Sequence, residues 1–175
     1  MHGCNNRRVP AAIKIRPAHA SDRDAVGRLG AMLVAEHHDF DAARFIAPVP
    51  DMAARYGQFL IDRQQQPGMV VVVAERESAV VGYAFAGMEG DDFMALRGPA
   101  GVIYDLVVDP GHQRQGIGSA LMTAVLDELT ALGAPRAILF TADKNDVAQA
   151  IFTATGFRRT MIEMTRELGA EDRET

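Results

Sequence analysis

Gly116 and Gly118 stand at the start of a helical pattern, directly after the strand-like run Val102 to Asp109 and the turn Pro110-Gly-His-Gln-Arg-Gln. A helix whose first turn is lined by glycines offers several unpaired backbone N–H groups, a positive dipole end behind them and no Cβ in the way. That combination suits phosphate. Two phosphate motifs fail on spacing. A P-loop needs lysine after its second glycine, and Ile117 stands there; a dinucleotide fingerprint needs a third glycine where the chain has Leu121. Proton-transfer candidates lie on the strand just before. Asp105 is its one internal carboxylate and could take a proton from an ammonium group, and Tyr104 could give one. A third acidic source is Glu89-Gly-Asp-Asp92, in the long loop 89–101.

These residues need a strand to hold them and a helix behind the turn. The strand is β-branched or aromatic at most positions and stops at Pro110, which lacks a ladder donor. After Gly118, Leu121, Met122, Val125, Leu126, Leu129 and Leu132 recur at threes and fours, so one face of a helix is buried. The segment Gln113-x-x-Gly116-x-Gly118 resembles the Q/R-x-x-G-x-G/A signature of the GCN5-related N-acetyltransferase (GNAT) family. A second block, Asn145 to Phe157, is similar to the family's N-x-x-A-x-x-x-Y-x-x-x-G-F, with Asn145, Ala148, Gly156 and Phe157 in register.

The resemblance implies acetyl-coenzyme A as cosubstrate. Gln113, Arg114, Gln115, Gly116, Gly118 and Ser119 would ring its pyrophosphate, Leu106, Val107 and Val108 would face its pantetheine arm, and Asn145 and Phe152 would lie beside it. The backbone of Val107 and Val108 would orient the thioester carbonyl. It also implies direct attack by a primary amine in a ternary complex, on a small-molecule or peptide acceptor. One position departs: Phe152 replaces the tyrosine that can protonate the leaving thiolate, so a binding module with little transfer is the alternative. His37, Phe40 and Tyr104 would belong to the acceptor wall. Adjacent His37 and His38 have no further ligands at metal spacing, and no metal is expected.

Composition sets wider limits. The chain has 175 residues and a formal net charge of −5 from 18 Lys+Arg and 23 Asp+Glu, which gives no global field for nucleic acid or anionic lipid. Its single cysteine, Cys4, lies outside the expected fold, so neither a disulfide framework nor a cysteine nucleophile is expected. No apolar run approaches a membrane span, and a cytoplasmic protein is expected.

In order, residues 1–11 read as a disordered segment, 12–169 as a single GNAT domain and 170–175 as a charged tail. The domain should be a mixed α/β fold: a mostly antiparallel, splayed sheet flanked by about four helices. Expected are a strand at 13–16, a helix capped by Ser21 and reaching Glu36, and a loop from His37 to Pro50. A helix capped by Asp51, a hairpin at 69–74 and 79–88, and the strand, turn and helix described above come next. A strand at 136–141, a short helix capped by Asp143 or Asn145 and a last strand at 157–168 complete it. Apolar alternate positions in Met161 to Thr165 suggest a homodimer through that strand.

Overall fold

The structure is a computed structural model and describes residues 12–168; the expected disordered segment 1–11 with Cys4, and the charged tail 170–175, lie outside them. The strands are β1 (Lys14–Pro17), β2 (Met69–Arg76), β3 (Ala79–Glu89), β4 (Ala100–Val108) and β5 (Ala137–Leu139). The helices are α1 (Arg23–Phe40), α2 (Met52–Gln64), α3 (Ile117–Ala131) and α4 (Asp146–Ala154). They form one sheet in the order β1-β2-β3-β4-β5, antiparallel except for the parallel pair β4–β5.

Continuous apolar runs make β2 and β3 the inner strands, because helices cover both faces of the sheet. On one face Val70, Val72, Ala84 and Ile103 pack on Ile117, Leu121, Met122, Val125 and Leu129 of α3 and Phe152 of α4. On the other Val71, Val73, Tyr83, Phe85 and Val107 pack on Val26, Leu29, Leu60 and Ile61 of α1 and α2. Glu77 and Ser78 close the β2–β3 hairpin with both φ values positive, 49° and 65°, a two-residue turn whose twist matches the strands it joins. Helices α1 and α2 cross at Gly27 and Gly57, where a Cβ added to Gly27 would meet the Ala53 carbonyl oxygen at 2.1 Å. Only hydrogens fit there.

Two features of β4 place the site. First, Phe85 pairs with Asp105 but the next residue, Ala86, pairs with Ile103, so Tyr104 is the extra residue of a β-bulge. Ile103 and Leu106 face α3, whereas Tyr104 and Asp105, though consecutive, both face the α1/α2 side. Second, β5 pairs with β4 only through Gly101, Val102 and Ile103. Beyond Ile103 the sheet splays.

Several boundaries differ from the sequence reading. Helix α1 runs on to Phe40, so His37, His38 and Asp39 are helical and the loop begins at Asp41. A 3-10 turn at Ala20–Asp22 precedes it, and Asp22, not Ser21, is the N-cap residue. Residues 157–168 form no strand: with β5 only three residues long, the sheet has no ladder for them to extend. Met161, Ile162 and Met164 are exposed, and Glu163 pairs with Arg44 in the loop after α1. The expected edge-strand route to a homodimer therefore lacks its strand. Among the described residues no helix is long and apolar enough to cross a membrane.

Candidate active site

Beyond Ile103 the unpaired edge of β4 runs directly into the glycine turn before α3. The N–H of Asp109 donates to the Val81 carbonyl at 2.9 Å. Alternation along an antiparallel ladder then turns the backbone groups of Val107 and Asp105 toward β3 as well, and those of Leu106 and Val108 away from it. This corrects the expectation for Val107: its N–H serves the sheet, and its side chain is buried on the α1/α2 face. Leu106, and the N–H of Val108, meet no backbone partner among the described residues. The Val108 carbonyl accepts from Gln113 Nε2 at 3.1 Å, so Gln113 braces the strand end.

The turn itself is fixed by Asp109, which accepts from the Gly111 N–H at 3.0 Å and pairs with Arg28 of α1 at 2.8 Å. That guanidinium holds the Asp109 carboxyl below the usual carboxylate range. Arg114 and Gly116 have positive φ values of 57° and 80°, which turns the chain sharply into α3. The N–H groups of residues 114–119 have no acceptor among the described residues. A Cβ on Gly116 would meet nothing within 4 Å, so the space before the helix end is open. Ser119 is exposed in the first helical turn, and Gln115 accepts from Arg76. Six successive free donors running into a helix N-terminus make a concavity suited to an anion.

The far wall of the opening comes from α4. The Asn145 side-chain Oδ1 accepts from the Ala148 N–H at 3.0 Å, making Asn145, not Asp143, the helix cap. Ile151 and Val108 flank Gly118, at 3.6 and 3.9 Å from a Cβ built there. Phe152 is buried with Leu106, Val108 and Ile151, its ring edge-on to Phe157 at 6.2 Å. No oxygen stands at its position.

On the opposite side of β4 lies a cleft of about 450 Å³ lined by Tyr56, Phe59, Arg63, Met69, Phe85, Glu89, Tyr104 and Asp105. The bulge creates its floor by turning Tyr104 and Asp105 in together. Asp105 is only 8% exposed, and its Oδ2 accepts from the Tyr56 hydroxyl at 2.8 Å and the Tyr83 hydroxyl at 2.9 Å. Burial raises the Asp105 carboxyl above its ordinary pKa, and the two phenols partly offset this. Burial, with the Asp105 charge, also pushes both tyrosines up, so they stay protonated donors. Tyr104 donates to Glu89 Oε1 at 2.6 Å, and burial and that carboxylate raise its pKa as well. Glu89 Oε2 is held by Arg97.

The expected acceptor residues divide. Tyr104 lines this cleft; His37 and Phe40 do not. They form an aromatic group with Phe45 at the end of α1, where His37 Nδ1 lies 2.9 Å from the Leu33 carbonyl oxygen and the His37 ring is near enough for its charge to act on Asp105. Among the described residues no three His, Cys, Asp or Glu side chains are placed to hold a metal ion. Tyr56, Phe59 and Arg63 were legible only as one helix face, and Tyr83 only as strand. A tyrosine on a buried face needs a partner for its hydroxyl, and that was the available signal.

Residues 31–157 match the model of the acetyltransferase (GNAT) family. A mycothiol acetyltransferase of Sanguibacter keddieii is 34% identical over 115 residues, 65% of this chain and 34% of that protein. One from Clavibacter michiganensis is 26% identical, over 93% of this chain and 48% of its own. The chain thus spans about a third to a half of these relatives' length. Among solved structures, the aminoglycoside N-acetyltransferase AAC(6')-Iy in complex with CoA superposes with a TM-score of 0.71 at 19% identity, covering 93% of this chain and 99% of that one. A glucosamine-6-phosphate N-acetyltransferase from Arabidopsis thaliana gives 0.64 at 20% identity, covering 90% and 99%. The chain belongs to the GNAT acetyltransferase family.

Proposed function

We propose that the protein transfers the acetyl group of acetyl-CoA to a primary amine by direct attack in a ternary complex. One observation carries the reading: β4 has a backbone edge left unpaired beyond Ile103 and a carboxylate-bearing cleft on its side-chain face. The free N–H groups of residues 114–119 would hold the pyrophosphate, with Leu106 and Val108 along the pantetheine. When bound, acetyl-CoA supplies an activated thioester. Asp105 takes the proton that an ammonium acceptor must lose, and its raised pKa brings it closer to the operating pH, where a base is most efficient. The Tyr56 and Tyr83 hydroxyls hold that carboxylate in place. The amine nitrogen then bonds to the acetyl carbon as the bond to sulfur breaks, and the second proton, shed by that nitrogen, goes to the leaving thiolate through water. The Val108 N–H, turned away from β3, would donate to the thioester oxygen as charge develops on it.

A second reading, a module that binds acetyl-CoA without efficient transfer, is favoured by Phe152, which has no proton for the leaving sulfur. Calorimetric titration with acetyl-CoA tests what both share. Wild type should bind one equivalent and Gly116→Glu none, because the new side chain puts bulk and negative charge where phosphate would sit. Equal binding by the variant, or none by wild type, refutes the cofactor site. A panel of primary amines offered to wild type with acetyl-CoA then separates transferase from binding module.

A further inference from the structure

The acceptor cleft is polar at both ends and apolar between them. Asp105 sits at one end, beneath the Tyr56 hydroxyl. The walls are rings: Phe59 meets Tyr56 at 5.9 Å and Phe85 at 5.8 Å, and Phe85 meets Tyr104 at 4.8 Å. At the other end Arg63, in the last turn of α2, lies 5.2 Å over the Phe59 ring. Its charge has no carboxylate partner among the described residues; its one hydrogen bond goes to the neutral Gln66 side chain at 3.0 Å. The other carboxylate in the cleft, Glu89, is occupied on both oxygens, by Tyr104 and Arg97. Arg63 is therefore the cation left to meet an anion within the cleft.

We infer that the acceptor is a primary amine carrying a carboxylate at the far end of an apolar, ring-sized body, with Arg63 as its anion clamp. The inference rests on the acetyl-transfer reading, which places the amine at Asp105. Spacing along α2 sets the length. Tyr56 and Arg63 are seven residues apart, about 10 Å along a helix axis. The Phe59 ring stands between the two ends, 5.9 Å from the Tyr56 ring and 5.2 Å from the Arg63 guanidinium, a gap of about one ring that an α-amino acid, whose amine and carboxylate share one carbon, does not bridge. The geometry suits an ω-amino acid or a short peptide read from its N-terminus to its C-terminal carboxylate. Arginine is the side chain suited to that carboxylate, since its planar fork can make two parallel hydrogen bonds.

Three matched probes isolate the charge: 4-(aminomethyl)benzoate, its amide, and benzylamine, each titrated calorimetrically into protein saturated with CoA. Wild type should bind the benzoate on the order of ten- to a hundred-fold more tightly than the other two. Arg63→Met should erase that difference while CoA affinity stays unchanged, and Arg63→Lys should keep part of it. Three equal affinities in wild type, no binding of any probe by the CoA complex, or a preference that survives Arg63→Met each overturns the clamp. Failure of CoA itself to bind removes the acetyl-transfer reading and the clamp with it.

Discussion

Helix propensity and the geometry of the α1–α2 crossing make opposite predictions for Gly27→Ala. In a helix interior, replacing glycine with alanine gains about 1 kcal/mol from backbone entropy alone. Here the new Cβ would lie 2.1 Å from the Ala53 carbonyl oxygen and 3.0 Å from the Gly57 Cα and N. All three contacts are backbone, which cannot swing aside, so the helices must separate by roughly 1 Å to restore ordinary contact distances. Overpacking of this kind costs about 3 kcal/mol, leaving a net loss of about 2 kcal/mol. For a chain of this size that lowers Tm by roughly 4–8 °C. Gly118→Ala is the control, because its Cβ would meet Ile151 at an ordinary 3.6 Å; its Tm should hold or rise by up to about 4 °C. A displaced α2 also carries Tyr56 away from Asp105, now 2.8 Å distant. The acceptor KM should then change while acetyl-CoA affinity does not. Thermal melting by circular dichroism decides the first point. A Tm for Gly27→Ala that rises as the control does would refute the close crossing.

Asp105→Asn should leave the protein more stable at neutral pH and less active. A carboxyl whose pKa is raised by folding contributes stability below its unfolded pKa and loses it as pH rises through the folded value. The gain in Tm over wild type should therefore shrink on acidification toward pH 4, and amine acetylation at neutral pH should fall by about two to four orders of magnitude. Phe152→Tyr should raise kcat at least about ten-fold if a missing proton donor limits turnover; an unchanged kcat for an amine that wild type already acetylates means that another group or a water supplies the proton.

The strand, glycine turn and helix from Val102 onward were legible because each signal was local: a proline stop, two glycines, an apolar period. A local signal of the same class narrowed the α4 cap to Asp143 or Asn145, and the hydrogen bond to Ala148 decides for Asn145. What escaped was non-local. Strand β4 is apolar on both faces, so its sequence has no alternation from which the bulge at Tyr104 could be read. Without the bulge, Tyr104 and Asp105 would be assigned to opposite faces and no cleft would be expected. The true end of α1 hid behind His37 to Phe40, where His37 packs on Phe40 and on Phe45 from the following loop. Residues 157–168 have alternate apolar positions, yet a strand needs a neighbour, and three-residue β5 offers none beyond Leu139.

Strand β4 serves its two proposed ligands with different parts of itself. Toward the glycine turn it offers peptide groups, which any residue except proline supplies whatever its side chain. Toward the cleft it offers Tyr104 and Asp105, which a single base change could alter. Substitutions in β4 can thus act on the two halves separately: the strand's share of the donor's berth tolerates exchange of side chains, while the acceptor cleft changes with each residue replaced. A scaffold divided in this way can exchange one amine for another without having to rebuild its hold on the acyl carrier.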